Sequence, residues 1–244
     1  MKYLGSKQRI VSEILPIMLS EMKDKNAFVD AFCGGCSVIE NVPSQYRRIA
    51  NDKNKYLIAM WKLLTNNKDQ KPPMHIEREF YCDVRDSYNK CDDRYSDGIK
   101  GWVGFMGSFN GRYFDGGYSG HNVIGSNGKS RDYITENINN TLKQILALKG
   151  IEWQSGDYFN IIIPDNSLIY CDIPYKNTKQ YSTSKNFDYN RFYQWCRDMK
   201  NKGHKIFISE YSMPDDFKCI WSKQITNAMH QTNTKRPTEK LYTI

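Results

Sequence analysis

The chain has 244 residues, 39% of them hydrophobic and 25% charged, a mixture that buries a core and excludes a disordered or collagen-like polymer. At roughly 150 residues per domain it is too long for a minimal module and short for two independent domains, so one core with a sizeable insertion is expected. No apolar run approaches the ~20 residues of a membrane span. The opening residues also lack a signal peptide's apolar segment, and seven scattered cysteines, an odd number, argue for reduced thiols, so a cytosolic protein is expected. Lys and Arg total 35 against 27 Asp and Glu, and this +8 balance favours an anionic partner, nucleic acid first.

In chain order, Ile10, Ile14, Ile17 and Met18 recur at helical spacing and predict a helix over residues 6–22, with Ser6 as its cap and Pro16 as a kink. Residues 27–31 read as a short strand. The turn Phe32-Cys33-Gly34-Gly35-Cys36-Ser37 follows, and a helix is expected from Val38. Residues 47–52 form a second strand ending in Asp52, and Leu57, Ile58, Trp61 and Leu64 predict a helix over 54–64. Residues 65–130 are polar and irregular: Pro72-Pro73, a charged helix-like stretch over 77–89, and a glycine- and aromatic-rich run over 101–118 that does not continue a parallel sheet. A helix over 132–148 returns the chain to the core, with Ile138, Leu142, Ile145 and Leu146 on one side and Gly150 as its stop. A strand over 167–172 then ends in Asp172, followed by a helix over 187–202 and a strand over 205–209. The fold class is α/β, a sheet interrupted by an insertion.

In open α/β sheets ligands bind beyond the carboxyl ends of strands. Asp30 with its glycine turn, Asp52, and Asp172-Ile173-Pro174-Tyr175 stand at three such ends and are expected to face one crevice. A glycine turn lets backbone approach a ligand, and an acid about 20 residues later can take both ribose hydroxyls, which describes an adenosine pocket. The plainer alternative is a tight turn at Gly34-Gly35 and a helix-capping Asp52.

The segment 172–175 suits methylation of a planar amine. The lone pair of an exocyclic amine is poorly available because it is conjugated to the ring. The Asp172 carboxylate and the carbonyl of Ile173 or Pro174 can accept its two hydrogens, push the nitrogen towards tetrahedral geometry and aim its lone pair at an electrophilic methyl group. Tyr175 would stack on the base, and Pro174 preorganises the acceptors. The alternative is an ordinary strand-to-loop turn with a surface tyrosine.

Taken together, Lys2-Tyr3-Leu4-Gly5-Ser6-Lys7, residues 28–37, Asn51-Asp52, Ser155-Gly156-Asp157-Tyr158 and Asp172-Ile173-Pro174-Tyr175 resemble, in residues and in order, the Dam-type (class alpha) DNA adenine-N6 methyltransferases. The resemblance covers nearly the full length. Ser209-Glu210-Tyr211 and residues 235–242 are similar to closing segments of phage-like members.

The resemblance implies a Rossmann-like class I methyltransferase sheet over 1–54 and 149–244, with a mainly helical target-recognition insert over 55–148. It implies S-adenosyl-L-methionine as cofactor. Asp30, Phe32 and Gly34 would line its methionine part, Asp52 its ribose, Asp157 and Tyr158 its adenine, and Lys7 with Tyr3 would close the pocket. Asp172, Pro174 and Tyr175 fall on the catalytic D-P-P-Y motif. The sequence departs from the family at Ala31, commonly proline, at Cys36, often glycine, and at Ile173, where the first proline of that motif is lost together with one stiffening ring.

The insert's aromatic residues interleaved with Arg and Gly can offer wedges and stacking faces to DNA, as a base-flipping enzyme requires. Arg112, Tyr113 and Lys129 are candidate DNA contacts, and Asn110, in a segment similar to the family's, joins them. Trp102, Phe105 and Phe109 are expected to form the insert's own small core. Lys176-Asn177-Thr178-Lys179 reads as a solvated loop able to touch phosphate.

No metal is expected. Cys33 and Cys36 have no second close pair, and His75, His121, His204 and His230 are dispersed. The expected reaction is methyl transfer to the N6 amine of a flipped-out adenine in double-stranded DNA by a monomer or weak dimer in a bacterial or phage-infected cytoplasm, as in restriction-modification. N4-cytosine methylation, where serine more often replaces the acid, is the alternative, as is a catalytically silent DNA-binding relative. A protein-glutamine methyltransferase fits the large insert and basic balance less well.

Overall fold

The computed structural model describes residues 1–3, 5–66, 71–124, 128–176, 186–224 and 238–244. Leu4, His230, residues 177–179 of the basic loop and residues 235–237 of the closing segment lie outside them.

The core is a seven-stranded sheet. β1 (Phe28–Asp30) pairs in parallel with β2 (Arg48–Asp52) on one side and β6 (Leu168–Asp172) on the other. β5 (Glu152–Ser155) extends the sheet beyond β2, and β7 (Lys205–Ser209) extends it beyond β6, all in parallel. The antiparallel strands β9 (Thr238–Thr243) and β8 (Lys218–Gln224) complete the order β5-β2-β1-β6-β7-β9-β8. The direction of strand progression reverses between β1 and β6, the switch point at which Rossmann-like sheets bind ligands.

Alternation along the central strands sorts side chains to two faces. Phe28, Leu168, Tyr170 and Phe207 meet Ile14, Leu15 and Met18 of α1 (Val11–Leu19). Val29, Ile169, Cys171 and Ile206 meet Phe192, Trp195 and Cys196 of α7 (Tyr189–Asn201).

The N-terminal helix is shorter than its periodicity suggests. Lys7–Arg9 is a 3-10 turn with Ser6 accepting from Gln8 N, and a break at Ile10 precedes α1. After the glycine turn the structure has a 3-10 turn, Ile39–Asn41, where a helix was expected. Val42 is extended before Pro43, as the ring's clash with a helical predecessor requires. The expected helix over 132–148 is two, α5 (Tyr133–Leu142) and α6 (Ile145–Leu148), and Leu146 is exposed instead of facing the core.

The irregular middle is mostly helical. α2 (Lys55–Asn66) leads to α3 (Arg78–Lys90) and α4 (Asp97–Gly107), and β3 (Val123–Ile124) and β4 (Ser130–Arg131) form a small hairpin. The first part of the glycine-rich run lies in α4, where Gly98, Gly101, Gly104 and Gly107 recur every third residue and bring the helix against its neighbours; the rest is a 3-10 turn, Phe109–Gly111, and irregular backbone. A Cβ on Gly101 would lie 2.1 Å from the Tyr56 carbonyl oxygen of α2, and one on Gly104 2.4 Å from the Tyr113 ring. Trp102, Phe105 and Met106 of α4 join Trp61 of α2, Ile134 and Ile138 of α5, Trp153 of β5 and the turn cysteines Cys33 and Cys36 in one buried cluster. The insert therefore shares its core with the sheet.

Gly101→Ala is expected to cost at least ~2 kcal/mol, because the methyl group overpacks a backbone contact between α2 and α4. Denaturant unfolding checks this; wild-type stability would show that the two helices separate freely.

Candidate active site

Strand register builds the site. Asp30, at the end of β1, stands opposite Ala50 of β2 and Tyr170 of β6. Asp52 and Asp172 therefore each lie two residues beyond their partners of Asp30, on the strands flanking it. The three acids collect at adjacent carboxyl ends, as expected. Burial, and next the charge of Asp172, push the Asp30 carboxyl well above its usual range, and its Oδ1 is buried without a hydrogen-bond partner among the described residues.

The glycine turn leaves β1 with Cys33 N donating to Asn51 O at 2.8 Å. Gly34 has φ +46° and Cys36 φ +62°, left-handed values that suit glycine at the first and strain the second. Gly34 N donates to Asp52 Oδ2 at 3.1 Å, and Asn54 N donates to Asp52 Oδ1 at 2.8 Å. Asp52 thus anchors both the turn and Asn54, whose own Oδ1 caps α2 by accepting from Tyr56 N at 3.1 Å and Leu57 N at 3.3 Å. The turn's carbonyls face inward: Trp61 Nε1 donates to Gly34 O at 3.3 Å and Gln144 Nε2 to Gly35 O at 3.2 Å. Asn51 Nδ2 ties the ends of β1 and β5 together through Ala31 O and Gly156 O, each at 3.1 Å.

Tyr3 lies over the turn. A Cβ at Gly34 or Gly35 would fall 2.7 or 2.6 Å from its side chain, so only glycine admits the ring there. Lys7 is buried, and its Nζ reaches Asp172 Oδ1 at 2.8 Å and Gly5 O at 3.1 Å and sits 4.6 Å from the centre of the Tyr175 ring. It meets the catalytic motif, a contact that its expected place on the cofactor pocket did not include. Burial pushes Asp172 up to about 6 against the lowering influence of Lys7. Tyr175 donates its hydroxyl to Glu239 Oε2 at 2.5 Å and packs edge-on against Tyr211. Tyr189 Oη donates to Pro174 O at 2.9 Å.

Phe32 packs against Tyr158, ring centres 5.4 Å apart, within a cluster that includes Phe187 and Phe192. Tyr158 is buried there, and burial raises its phenol to about 12. Asp157 accepts from Phe159 N at 3.1 Å and lies 4.0 Å from Lys53 Nζ.

The DNA candidates divide. Asn110 and Lys129 are exposed, and Arg112 pairs with Asp115 at 2.6 Å on the surface. Tyr113 packs among Tyr56, Tyr88, Phe105 and Phe114 with its hydroxyl buried, so it belongs to the insert's interior and not to its surface. Trp102 and Phe105 are buried, in a core shared with the sheet and not in one of the insert's own, whereas Phe109 is exposed. Gly111 abuts the N-terminal motif, with Lys2 O 2.3 Å from where a Cβ would stand. Sequence reasoning missed Trp61 and Gln144 as supports of the glycine turn. Trp61 read as core periodicity, and the signal for Gln144 is a polar residue within an apolar helical face. Among the described residues no cluster of His, Cys, Asp or Glu could hold a metal, and no helix is long and apolar enough to cross a membrane.

The family model for D12 class N6 adenine-specific DNA methyltransferases matches residues 3–239. Modification methylase StsI of Streptococcus sanguinis is 27% identical over 196 residues, which are 72% of this chain and 28% of that protein. The crystal structure of SMU.472 complexed with SAH aligns with 99% of this chain and 53% of its own at 12% identity, with a TM-score of 0.38, too low to establish a shared fold.

The Asp172 carboxyl is expected to titrate near pH 6, and its midpoint should rise in Lys7→Met, which removes the cation that favours the charged form. Carboxyl-carbon NMR checks both; a midpoint near 4, or no rise in the variant, would remove Lys7 and burial as its controlling influences.

Proposed function

The chain belongs to the D12 class N6 adenine-specific DNA methyltransferase family, and from that premise we propose that it transfers a methyl group from S-adenosyl-L-methionine to the N6 amine of an adenine flipped out of double-stranded DNA. The observation that carries the reading is the strand register: it puts the acid suited to a ribose, Asp52, and the acid suited to an amine, Asp172, on either side of Asp30 at one rim.

The residues present fit the cofactor. Asp30 keeps a buried carboxyl oxygen without a partner among the described residues at this rim, and Gly34-Gly35 make a side-chain-free cradle closed by Tyr3. Asp52 would take the ribose hydroxyls, Asp157 and Tyr158 the adenine, and Phe32, packed against Tyr158, the methionine part. When bound, S-adenosyl-L-methionine supplies the electrophilic methyl.

The chain's own groups then prepare the nucleophile. Lys7 engages Oδ1 of Asp172, which leaves Oδ2 to accept one amine hydrogen. Ile173 O, or Pro174 O with the lone pair that Tyr189 leaves it, accepts the other. Two acceptors so placed pull the amine out of conjugation and aim its lone pair. The proton leaves the nitrogen after transfer, and Asp172, held near 6, can receive it. The Tyr175 ring stacks on the base.

Residues 1–54 and 149–244 carry this chemistry and 55–148 the recognition of DNA, with α2 serving both. Asn110, Arg112 and Lys129 contact the duplex, and the turn at Gly111 couples them to the N-terminal motif. An intracellular setting follows from a DNA substrate. Asp172 in place of serine favours adenine over N4-cytosine.

Incubating duplex DNA of varied sequence with purified protein and methyl-labelled cofactor tests the proposal; label absent from adenine overturns it, and cofactor binding without transfer would mark a silent relative. Asp172→Asn is expected to lower the transfer rate at least ~100-fold while cofactor affinity stays within about twofold. DNA affinity should weaken as salt rises, with a log–log slope of roughly −0.9 for each phosphate neutralised. Affinity unchanged by salt would exclude the basic residues as phosphate contacts.

A further inference from the structure

Ile173 stands where the family's catalytic motif has its first proline, yet the loop after β6 is closely held. Ile173 itself is buried in the cluster of Phe192 and Tyr193, and three neighbouring elements reach the next three residues. Tyr189 of α7 donates to Pro174 O at 2.9 Å, the Tyr175 hydroxyl donates to Glu239 Oε2 of β9 at 2.5 Å, and Lys176 N donates to Glu210 Oε2, just past β7, at 3.0 Å. Glu210 is fully buried and its Oε1 accepts from Tyr211 N at 2.6 Å; Glu239 is buried as well.

Two buried acids beside Asp172 are a costly way to build a loop, since like charges gather in a poorly solvated place. Burial first, with the charges of Asp172 and Glu239 adding to it and the amides of Lys176 and Tyr211 opposing it, raises Glu210 to about 7. Methyl transfer as derived above uses neither acid. Both nevertheless end on the acceptor loop, one on the ring that stacks and one on the backbone next to it.

We infer that Glu239 and Glu210 are positioning residues for methyl transfer: Glu239 fixes the Tyr175 ring through its hydroxyl, and Glu210 fixes the loop backbone through the Lys176 amide. Together with Tyr189 they supply the rigidity that a ring at 173 would otherwise give. The inference rests on the methyltransferase reading for its kinetic readout, but not for its structural one.

Single-turnover methylation of duplex DNA by Tyr175→Phe, Glu239→Ala and the double variant tests the first contact. Each single change is expected to slow transfer roughly tenfold, because a stacking ring displaced by about an ångström loses its alignment. Cofactor affinity should stay within about twofold, and the double variant should be no slower than the slower single, since both remove one contact. Glu239→Gln, which keeps an acceptor oxygen, should be faster than Glu239→Ala. Single variants at the wild-type rate, or losses that multiply in the double, overturn the role of Glu239. Should Glu239→Ala not fold, Tyr175→Phe against Glu239→Gln carries the same comparison, and a wild-type rate in Tyr175→Phe overturns it.

Hydrogen exchange of the Lys176 amide reads the clamp without methylation. It should accelerate in Glu210→Ala and Glu239→Ala, and unchanged exchange in either removes that residue from the clamp. Wild-type protein that fails to methylate adenine would end the functional reading and leave the exchange result to decide the clamp.

Discussion

The ion pair between Lys7 and Asp172 is the contact on which the site is organised. Parallel strands of matched register bring Asp30, Asp52 and Asp172 to one rim, and Glu210 and Glu239 add two more acids from the neighbouring strands. So many carboxyls in a poorly solvated place would tend to hold protons, and the raised pKa values of Asp30, Asp52, Asp172 and Glu210 express that tendency. A buried ammonium at 2.8 Å counters it at Asp172, the acid to which the proposed mechanism gives the amine hydrogens. The same ammonium lies over the Tyr175 ring, so the N-terminal motif meets the loop after β6 as well as the glycine turn.

A second constraint runs through the insert. Gly98 and Gly101 let α4 press on α2, and α2 in turn sends Trp61 under the glycine turn while Gln144 arrives beside it from the junction of α5 and α6. Both carbonyls of the turn are thereby directed inward. The insert and the glycine turn are one packed body, and Gly111 against Lys2 joins them again at the N-terminal motif.

Much of this was readable before the fold was known. Strands ending in Asp30, Asp52 and Asp172 announce themselves as short apolar runs with an acid behind them, because a parallel strand is buried on both faces and its carboxyl end is where polar chemistry can begin. Glu210 follows the apolar strand over 205–209 in the same manner, so its signal was present, but an acid's partner across the sheet cannot be read from its own neighbours. The insert was opaque for a different reason. Aromatic residues between the glycines of α4 hide a three-residue period, and glycine's low helix propensity argues against a helix that only tertiary packing makes favourable. Tyr113 looked like a DNA contact because Arg112 and the surrounding glycines suggest a surface; four neighbouring aromatic rings claim it for the interior.

The amino-acid sequence by itself determined the α/β class, the order of motifs and the identity of the groups able to activate an amine, since these depend on local periodicity and on functional groups that each residue carries wherever it is placed. Tertiary structure alone decided that Lys7 faces Asp172, that Pro174 O is already engaged, and that Glu210 and Glu239 hold the loop. Those contacts join residues 15 to 165 positions apart along the chain, and they exist only once strand register and helix packing have set distances that no local pattern encodes.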